Sequence, residues 1–378
     1  MGKLKLTFPH FRHAPVVVCG TGSVSVLGEI DDGETVFLTS GSEAVNSIVS
    51  SALARGGAAL TPSNHLCKPD GEPAVDSVCE AAEFLRSKAY RRIVAVGGGS
   101  VLDWARLAWA ESAGLLEPVT GVMTKLPATV ERPEFWLVPT TCGTGAEAGD
   151  VAVYCSGSGR KTAVISPAFL ADKVILDGRF LETIPSSNLA ALVADALTHS
   201  VEASLSIVPL QLGKEAALSA LQVILSNYSI DVGSSQRDRL MEAGFLGGVA
   251  AVNCSVGIIH AFAHSVGADG MPHGLANACA LDCGLQFNGD TPQMKVLLQR
   301  AGLRTPQELI DKVQPIVENA LRAIPSHPLV DSLQGSDYKK KIADRMAADI
   351  ALRTNPRRAA AKELLDFVNS VSERISAK

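Results

Sequence analysis

Asp195-Ala196-Leu197-Thr198-His199 sets a carboxylate and an imidazole four residues apart, and His260-Ala261-Phe262-Ala263-His264 repeats that spacing with two imidazoles. Four residues is just over one helical turn, so on a helix each pair projects from one face. His273 follows in Met271-Pro272-His273-Gly274, expected on the loop that leaves the second helix. Four of the eight histidines fall in these segments. Any one of them alone reads as a satisfied core residue. Together, one carboxylate and several imidazoles on apolar helices suit a borderline divalent cation such as Fe²⁺ or Zn²⁺. His10, His13, His65 and His327 stand in polar loops and receive no role, and Cys279 and Cys283 read as buried small hydrophobes.

A second chemistry comes from two turns rich in small residues. Arg92–Val96 reads as a strand, followed by Gly97-Gly98-Gly99-Ser100 and a helix from Val101. Glycines let a ligand approach the backbone, and the free N–H groups and dipole of a helix start favour phosphate. Asp103, three after Ser100, makes a capping-box-like pair with it. Pro139-Thr140-Thr141-Cys142-Gly143-Thr144-Gly145-Ala146-Glu147 follows another strand, and its threonine hydroxyls could contact a nucleotide. Either turn alone could be a plain capped helix or a self-satisfied loop. Two such loops in one parallel sheet reinforce each other, because open α/β sheets bind ligands at the carboxyl ends of their strands.

The elements that must carry these residues change character along the chain. Runs at Val16–Cys19, Thr35–Thr39, Ala58–Leu60, Ile93–Val96 and Phe135–Val138 read as buried strands. Helical patterns at Glu43–Ala54, Val75–Ser87 and Val101–Ala113 lie between them. Further strand-like runs occupy Val151–Tyr154, Thr162–Ile165 and Val174–Leu176. Beyond Pro185 the signals are helical: Asn188–Leu205 with Ser187 as cap, Lys214–Leu225, Arg237–Ala251, Val256–Val266, Pro306–Ile324, Lys339–Leu352 and Lys362–Ile375. The fold class expected is an α/β dinucleotide-binding domain with a mostly parallel sheet over 1–184, then an all-helical metal domain over 185–378. The 378 residues suffice for two such domains. A hydrophobic share of 47% excludes disorder, and a net charge of −5 with 5% aromatics excludes a nucleic-acid or anionic-membrane footprint. Eight scattered cysteines with no CxxC pair, no apolar leader and no long apolar run point to a soluble cytoplasmic protein.

Taken together the motifs resemble the iron-containing (group III) alcohol dehydrogenases over nearly the whole chain. Gly97 to Asp103 resembles that family's GGGSxxD, and Pro139 to Glu147 its PTTxGTGSE with Ala146 for the usual Ser. Asp177 through Pro185 to His199 follows without an evident gap. Asn253 to His264 and Pro272-His273-Gly274-Leu275-Ala276-Asn277 resemble HAxAH…PHGxxNA, and Asn355-Pro356-Arg357 a motif near the family's C-terminus. The resemblance implies metal ligands Asp195, His199, His260 and His273, with His264 as a non-ligand histidine near substrate and nicotinamide. It implies that Gly97, Gly98, Gly99 and Ser100 hold the pyrophosphate, that Asp103, Thr140, Thr141, Thr144 and Lys161 line the rest of the dinucleotide site, and that the chain forms dimers.

The departures carry information too. The stretch from His260 to His273 is slightly shorter than in many members, and Gly149 replaces a usual Thr. The acidic residue expected after the second strand, where it would bind a ribose 2′-OH and repel a 2′-phosphate, is Ser40. NADP(H) is therefore expected over NAD(H). The implied reaction is hydride exchange between the nicotinamide and a small alcohol, aldehyde or ketone whose oxygen the metal binds. The pocket is expected around Gly149–Val151, Phe262 and Gly267–Met271. An anionic substrate carrying carboxylate or phosphonate is accommodated if Arg357 points into the cleft. The alternative is a metal- and NAD-dependent lyase or cyclase resembling dehydroquinate synthase.

Overall fold

The computed structural model describes residues 11–14, 16–30, 32–157, 161–229, 232–322 and 329–376; His10 and His327 lie outside them. In chain order the first half runs β1 (Val16–Cys19), β2 (Thr35–Ser40), α1 (Glu43–Ala54), β3 (His65–Lys68), α2 (Val75–Arg86), β4 (Arg92–Gly97), α3 (Gly99–Ser112), β5 (Leu116–Glu117), β6 (Val122–Met123), β7 (Glu134–Pro139), β8 (Val151–Cys155), β9 (Lys161–Ile165) and β10 (Lys173–Leu176). Six of these strands make one all-parallel sheet in the order β1-β10-β7-β4-β2-β3. β8 and β9 stand apart as an antiparallel ribbon, as do β5 and β6.

Ile93–Val96 and Phe135–Val138 are apolar without alternation because the sheet is covered on both faces. One apolar core takes Leu38, Ala95 and Leu137; the opposite face buries Phe37, Val94, Val96 and Val138 against α1. The expected strand at Ala58–Leu60 is irregular backbone, and the edge strand lies at His65–Lys68. Ala58-Ala59-Leu60 has no β-branched residue to favour a pleat, and an edge strand with one solvated side needs no continuous apolar run.

The second half is helical: α4 (Ser186–Leu205), α5 (Gln211–Asn227), α6 (Ser234–Cys254), α7 (Ile258–Gly267), α8 (His273–Phe287), α9 (Pro292–Arg300), α10 (Pro306–Leu321), α11 (Leu329–Ser332), α12 (Ser336–Ala348) and α13 (Ala361–Ser376). α4 is the hub, packed against α5, α6, α8 and α10. Its N-cap is Pro185, with no side-chain cap, so Ser187 lies inside the first turn rather than capping it. α8 escapes a periodicity reading because it is buried from Leu275 to Asp282 without a polar face. It also places His273 at its first residue rather than on a loop. No single helix among the described residues is long and apolar enough to cross a membrane; α6 and α7 pass that test only together and are bent by 101°.

Two close backbone approaches join the layers. Gly145, with φ +58°, lies so near α6 that a Cβ would fall 2.4 Å from Gly248 Cα. Gly274, in the first turn of α8, lies against α4, where a Cβ would fall 2.3 Å from the Ala191 carbonyl oxygen. Gly274→Ala is therefore expected to force α8 away from α4 and to cost about 1–3 kcal/mol, the usual range for overpacking, read by chemical denaturation. An unchanged midpoint would mean that the two helices are not held at this distance.

Candidate active site

Asp195, His199 and Glu202 lie at i, i+4 and i+7 on α4, one buried stripe of an otherwise apolar helix. α7 brings His260 and His264, and the start of α8 brings His273. The three elements converge on one atom. Asp195 Oδ1 is 3.5 Å from His273 Nε2, 3.6 Å from His260 Nε2 and 3.9 Å from His199 Nε2. It also accepts a 2.7 Å hydrogen bond from Asn277 Nδ2. Donor atoms of Asp195, His260 and His273 all lie within 4.8 Å of one another, and His199 stands just beside that triplet.

The electrostatics of the cluster call for a cation. Burial alone would raise the Asp195 carboxyl, but the facing imidazoles of His273, His199 and His260 hold it well below the usual carboxylate range. Burial pushes His199 down to about 4, which keeps it neutral and able to donate a lone pair. Burial would lower His260 as well, yet Asp195 and Glu202, facing its two ring nitrogens, push it up to about 9. The two buried carboxylates thus call for positive charge between them. His260 Nε2 is buried with no hydrogen-bond partner, while its Nδ1 pairs with Glu202 Oε2 at 2.7 Å. A carboxylate behind one ring nitrogen and a vacant lone-pair position on the other is the arrangement of a metal-binding histidine. One oxygen and three imidazole nitrogens fit Fe²⁺ or Zn²⁺.

Glu202, Asn277 and Asp349 were not singled out from the sequence. Glu202 does more than orient His260. It accepts from the N–H groups of Gly257 (2.8 Å), Ile259 (2.6 Å) and His260 (3.3 Å), and so caps the start of α7. An acidic residue seven after Asp195 in an apolar helix was the readable signal. His264 is the most open of the cluster, 44% exposed at its side chain; its ring stacks on His273 and its Nδ1 pairs with Asp349.

The two small-residue turns meet beside this cluster. β4 and β7 are neighbours, Gly97 pairs with Pro139, and Thr140 N donates to Gly97 O at 3.0 Å. A Cβ on Gly98 would touch Thr141, and one on Gly99 would fall 2.6 Å from Thr144 Oγ1, so the two loops lie against each other. The second loop packs on the helices that carry the cluster: a Cβ on Gly143 would meet Leu192 of α4. α3 starts at Gly99, just ahead of Ser100, with Gly98 as N-cap and no side-chain cap, which leaves its first N–H groups open to an anion.

Two expectations need correction, the Ser100–Asp103 cap and the free Arg357 cation. Ser100 and Asp103 form no capping box. Asp103 Oδ2 instead accepts from Val153 N at 3.0 Å, tying α3 to β8, and burial pushes its carboxyl up to about 7. Lys161 sits on the β8–β9 ribbon in an ion pair with Glu72 (2.6 Å). Arg357 does not act as a free cleft cation: it pairs with Glu363, donates to Phe287 O and lies over the Phe287 ring. Its position gives no support to an anionic substrate. Ser40 ends β2 as expected, with a buried Oγ that has no hydrogen-bond partner.

Residues 14–178 match the model of the iron-containing alcohol dehydrogenase family, and residues 189–371 match the model of that family's C-terminal region. The chain belongs to the iron-containing alcohol dehydrogenase family. A probable alcohol dehydrogenase, EutG, of Salmonella typhimurium is 30% identical over 371 residues, covering 94% of this chain and 93% of that protein. An NADPH-dependent butanol dehydrogenase of Clostridium saccharobutylicum is 28% identical, covering 76% of this chain and 78% of its own. A sulfoacetaldehyde reductase of Bifidobacterium kashiwanohense, solved with NAD⁺, shares the fold with a TM-score of 0.85 at 19% identity, over 97% of this chain and 99% of that one. Membership makes the chain an oxidoreductase of alcohols or aldehydes that uses iron and a nicotinamide dinucleotide.

Because Glu202 satisfies three N–H groups and one imidazole, Glu202→Ala is expected to destabilise the fold by about 3 kcal/mol or more through those unpaired buried donors. Glu202→Gln, which keeps a carbonyl oxygen, is expected to lose less. Equal denaturation midpoints for the two variants would mean that the carboxylate is not what holds α7.

Proposed function

We propose that this enzyme catalyses reversible hydride transfer between NADP(H) and a small alcohol or aldehyde, with Asp195, His199, His260 and His273 holding Fe²⁺ and Zn²⁺ as the substitute ion. The observation that carries the reading is the convergence of three imidazole nitrogens on Asp195 Oδ1, beside two contacting loops suited to phosphate. The ion, when bound, supplies Lewis acidity to the substrate oxygen. The chain's own residues do the rest. The N–H groups at the start of α3, with Gly97, Gly98, Gly99 and Ser100, bind the pyrophosphate. Thr140, Thr141 and Thr144 line the same site, and Asp103 acts by holding α3 in place. His264, the most open of the cluster, holds or passes the proton of the substrate hydroxyl.

Ser40 supports NADP(H). An acidic side chain there would repel a 2′-phosphate, and a neutral hydroxyl with an unpaired oxygen would not. The name of the butanol dehydrogenase relative agrees with this choice. With Arg357 engaged elsewhere, we propose an uncharged substrate. The change from strand to helix between Leu176 and Ser186 supports a division at Pro185 into 1–184 and 185–378. The eight free cysteines suit a reducing cytoplasm. Val16 and Val17, exposed on the edge strand β1, suit a homodimer.

Two experiments test the reading. An anaerobic fluorescence titration of Fe²⁺-loaded protein is expected to show tighter binding of NADPH than of NADH. Ser40→Asp should weaken NADPH by about tenfold, the size of one unfavourable charge contact near a surface. Tighter NADH binding by the unaltered enzyme overturns the cofactor preference. His260→Ala and His273→Ala are expected to lose metal on gel filtration and to lower aldehyde-dependent NADPH consumption by about 10³-fold, the equivalent of several kcal/mol of Lewis-acid stabilisation. Full activity in a metal-free variant would defeat the ligand assignment. Stoichiometric NADPH loss separates the reductase from a lyase that returns its cofactor unchanged.

A further inference from the structure

From the proton role proposed for His264, on which this inference rests, we infer that Asp349 is the positioning residue for that imidazole, keeping one proton on Nδ1 so that Nε2 is the nitrogen that takes the substrate hydroxyl proton in alcohol oxidation and returns it in aldehyde reduction. Asp349 follows α12, and its two oxygens have separate tasks. Oδ2 lies 2.9 Å from His264 Nδ1, and Oδ1 accepts from Ala351 N at 2.8 Å, capping the turn Ile350–Arg353. A carboxylate held by a backbone N–H cannot swing away freely, so it defines the ring's orientation as well as its tautomer. An ionised carboxylate only accepts, so the neutral imidazole must place its hydrogen on Nδ1. Nε2 is then the free nitrogen, on a ring that stacks 5.5 Å from His273 with 16° between planes.

The segment around Asp349 is anchored to the same helix, which gives the Asn355-Pro356-Arg357 motif a role. Thr354 Oγ1 donates to Val256 O at 2.8 Å, and Asn355 Oδ1 accepts from Ile258 N at 3.2 Å. Asn355 Nδ2 donates to Asn288 Oδ1 at 3.0 Å, at the end of α8. Residues 349–355 therefore form a strap across α7, clamped at its first turn by Asn355 and at its last by Asp349. Ser255, at the α6–α7 corner, has φ +67°, the only positive φ of a non-glycine among the described residues, and its Oγ lies 3.0 Å from Thr354 Oγ1, to which it can donate. Such a backbone persists only where its surroundings hold it. The strap supplies that hold.

Asp349→Asn separates the two tasks. Its Oδ1 still caps Ala351, but an amide N–H now faces His264 Nδ1 and drives the proton to Nε2. Nitrogen-15 NMR of the metal-free full chain, with the His264 resonances assigned through His264→Gln, reads the tautomer directly and independently of turnover. The expected result is an Nδ1–H tautomer in the unaltered protein and an Nε2–H tautomer in Asp349→Asn. In the Fe²⁺-loaded enzyme, kcat is expected to fall by about 10²-fold, at the lower end of what a positioned acid or base contributes. KM for aldehyde and Kd for NADPH should stay within twofold. Asp349→Glu, which keeps the acceptor, should recover part of kcat. An Nε2–H tautomer in the unaltered protein, or a kcat within threefold after the tautomer has switched, overturns the assignment. If the unaltered enzyme consumes no NADPH with any small aldehyde, the dehydrogenase reading fails, and the positioning role fails with it even where the tautomer is Nδ1–H.

Discussion

Burying a carboxylate costs several kcal/mol unless positive charge or strong donors face it. Asp195, only 1% exposed, meets that demand with three imidazoles and one amide, drawn from α4 itself, α7 and α8. Much of the helical half follows from it. α8 must approach α4 closely enough for His273 and Asn277 both to reach Asp195, hence the backbone contact at Gly274. α7 must begin where Glu202 can cap it, because that carboxylate also orients His260. The two buried carboxylates leave the pocket short of positive charge, and a bound divalent ion answers that shortage better than a proton on His260.

The α/β half answers to a different constraint, the close packing of backbone on backbone. Gly97 to Gly99 and Thr140 to Thr144 lie side by side because β4 and β7 are adjacent and in register at Gly97 and Pro139. Arg106, fully buried on α3, donates to the carbonyls of Ala146, Gly149 and Val151, so α3 and the segment after the threonine loop are tied into one body. That loop then docks on α6 through Gly145 and Gly248. The two loops and the histidine cluster are therefore held at fixed separation by glycines, where any side chain would push them apart.

What could be read in advance divides along the same physical line. Spacing within a helix is local, so Asp195 with His199 and His260 with His264 were legible as faces. Strand, glycine turn and helix around Gly97 were legible for the same reason. Contacts that depend on two distant segments were not. Glu202 meets Gly257, Asn277 meets Asp195 and Asp349 meets His264 only after the helices have packed. α8 was silent because burial on every side erases the polar face on which periodicity depends. Asp103 misled because its spacing from Ser100 fits a local cap, and a long-range bond to Val153 won instead.

That division bears on how the site forms. Every residue around Asp195 Oδ1 beyond His199 arrives from at least sixty residues away in sequence, so the pocket cannot exist before α7 and α8 dock on α4. Until then Asp195 and Glu202 stay hydrated, and docking alone removes their water. A cation that binds the docked state and not the open one therefore stabilises the packing of these three helices as directly as it serves the reaction. The strap at 349–355 works in the same direction from the outside, since its Thr354 contacts both Ser255 and Val256 at the corner that leads into α7. Ion, capping carboxylate and strap are thus successive constraints on one helix, each holding α7 where its two histidines can act.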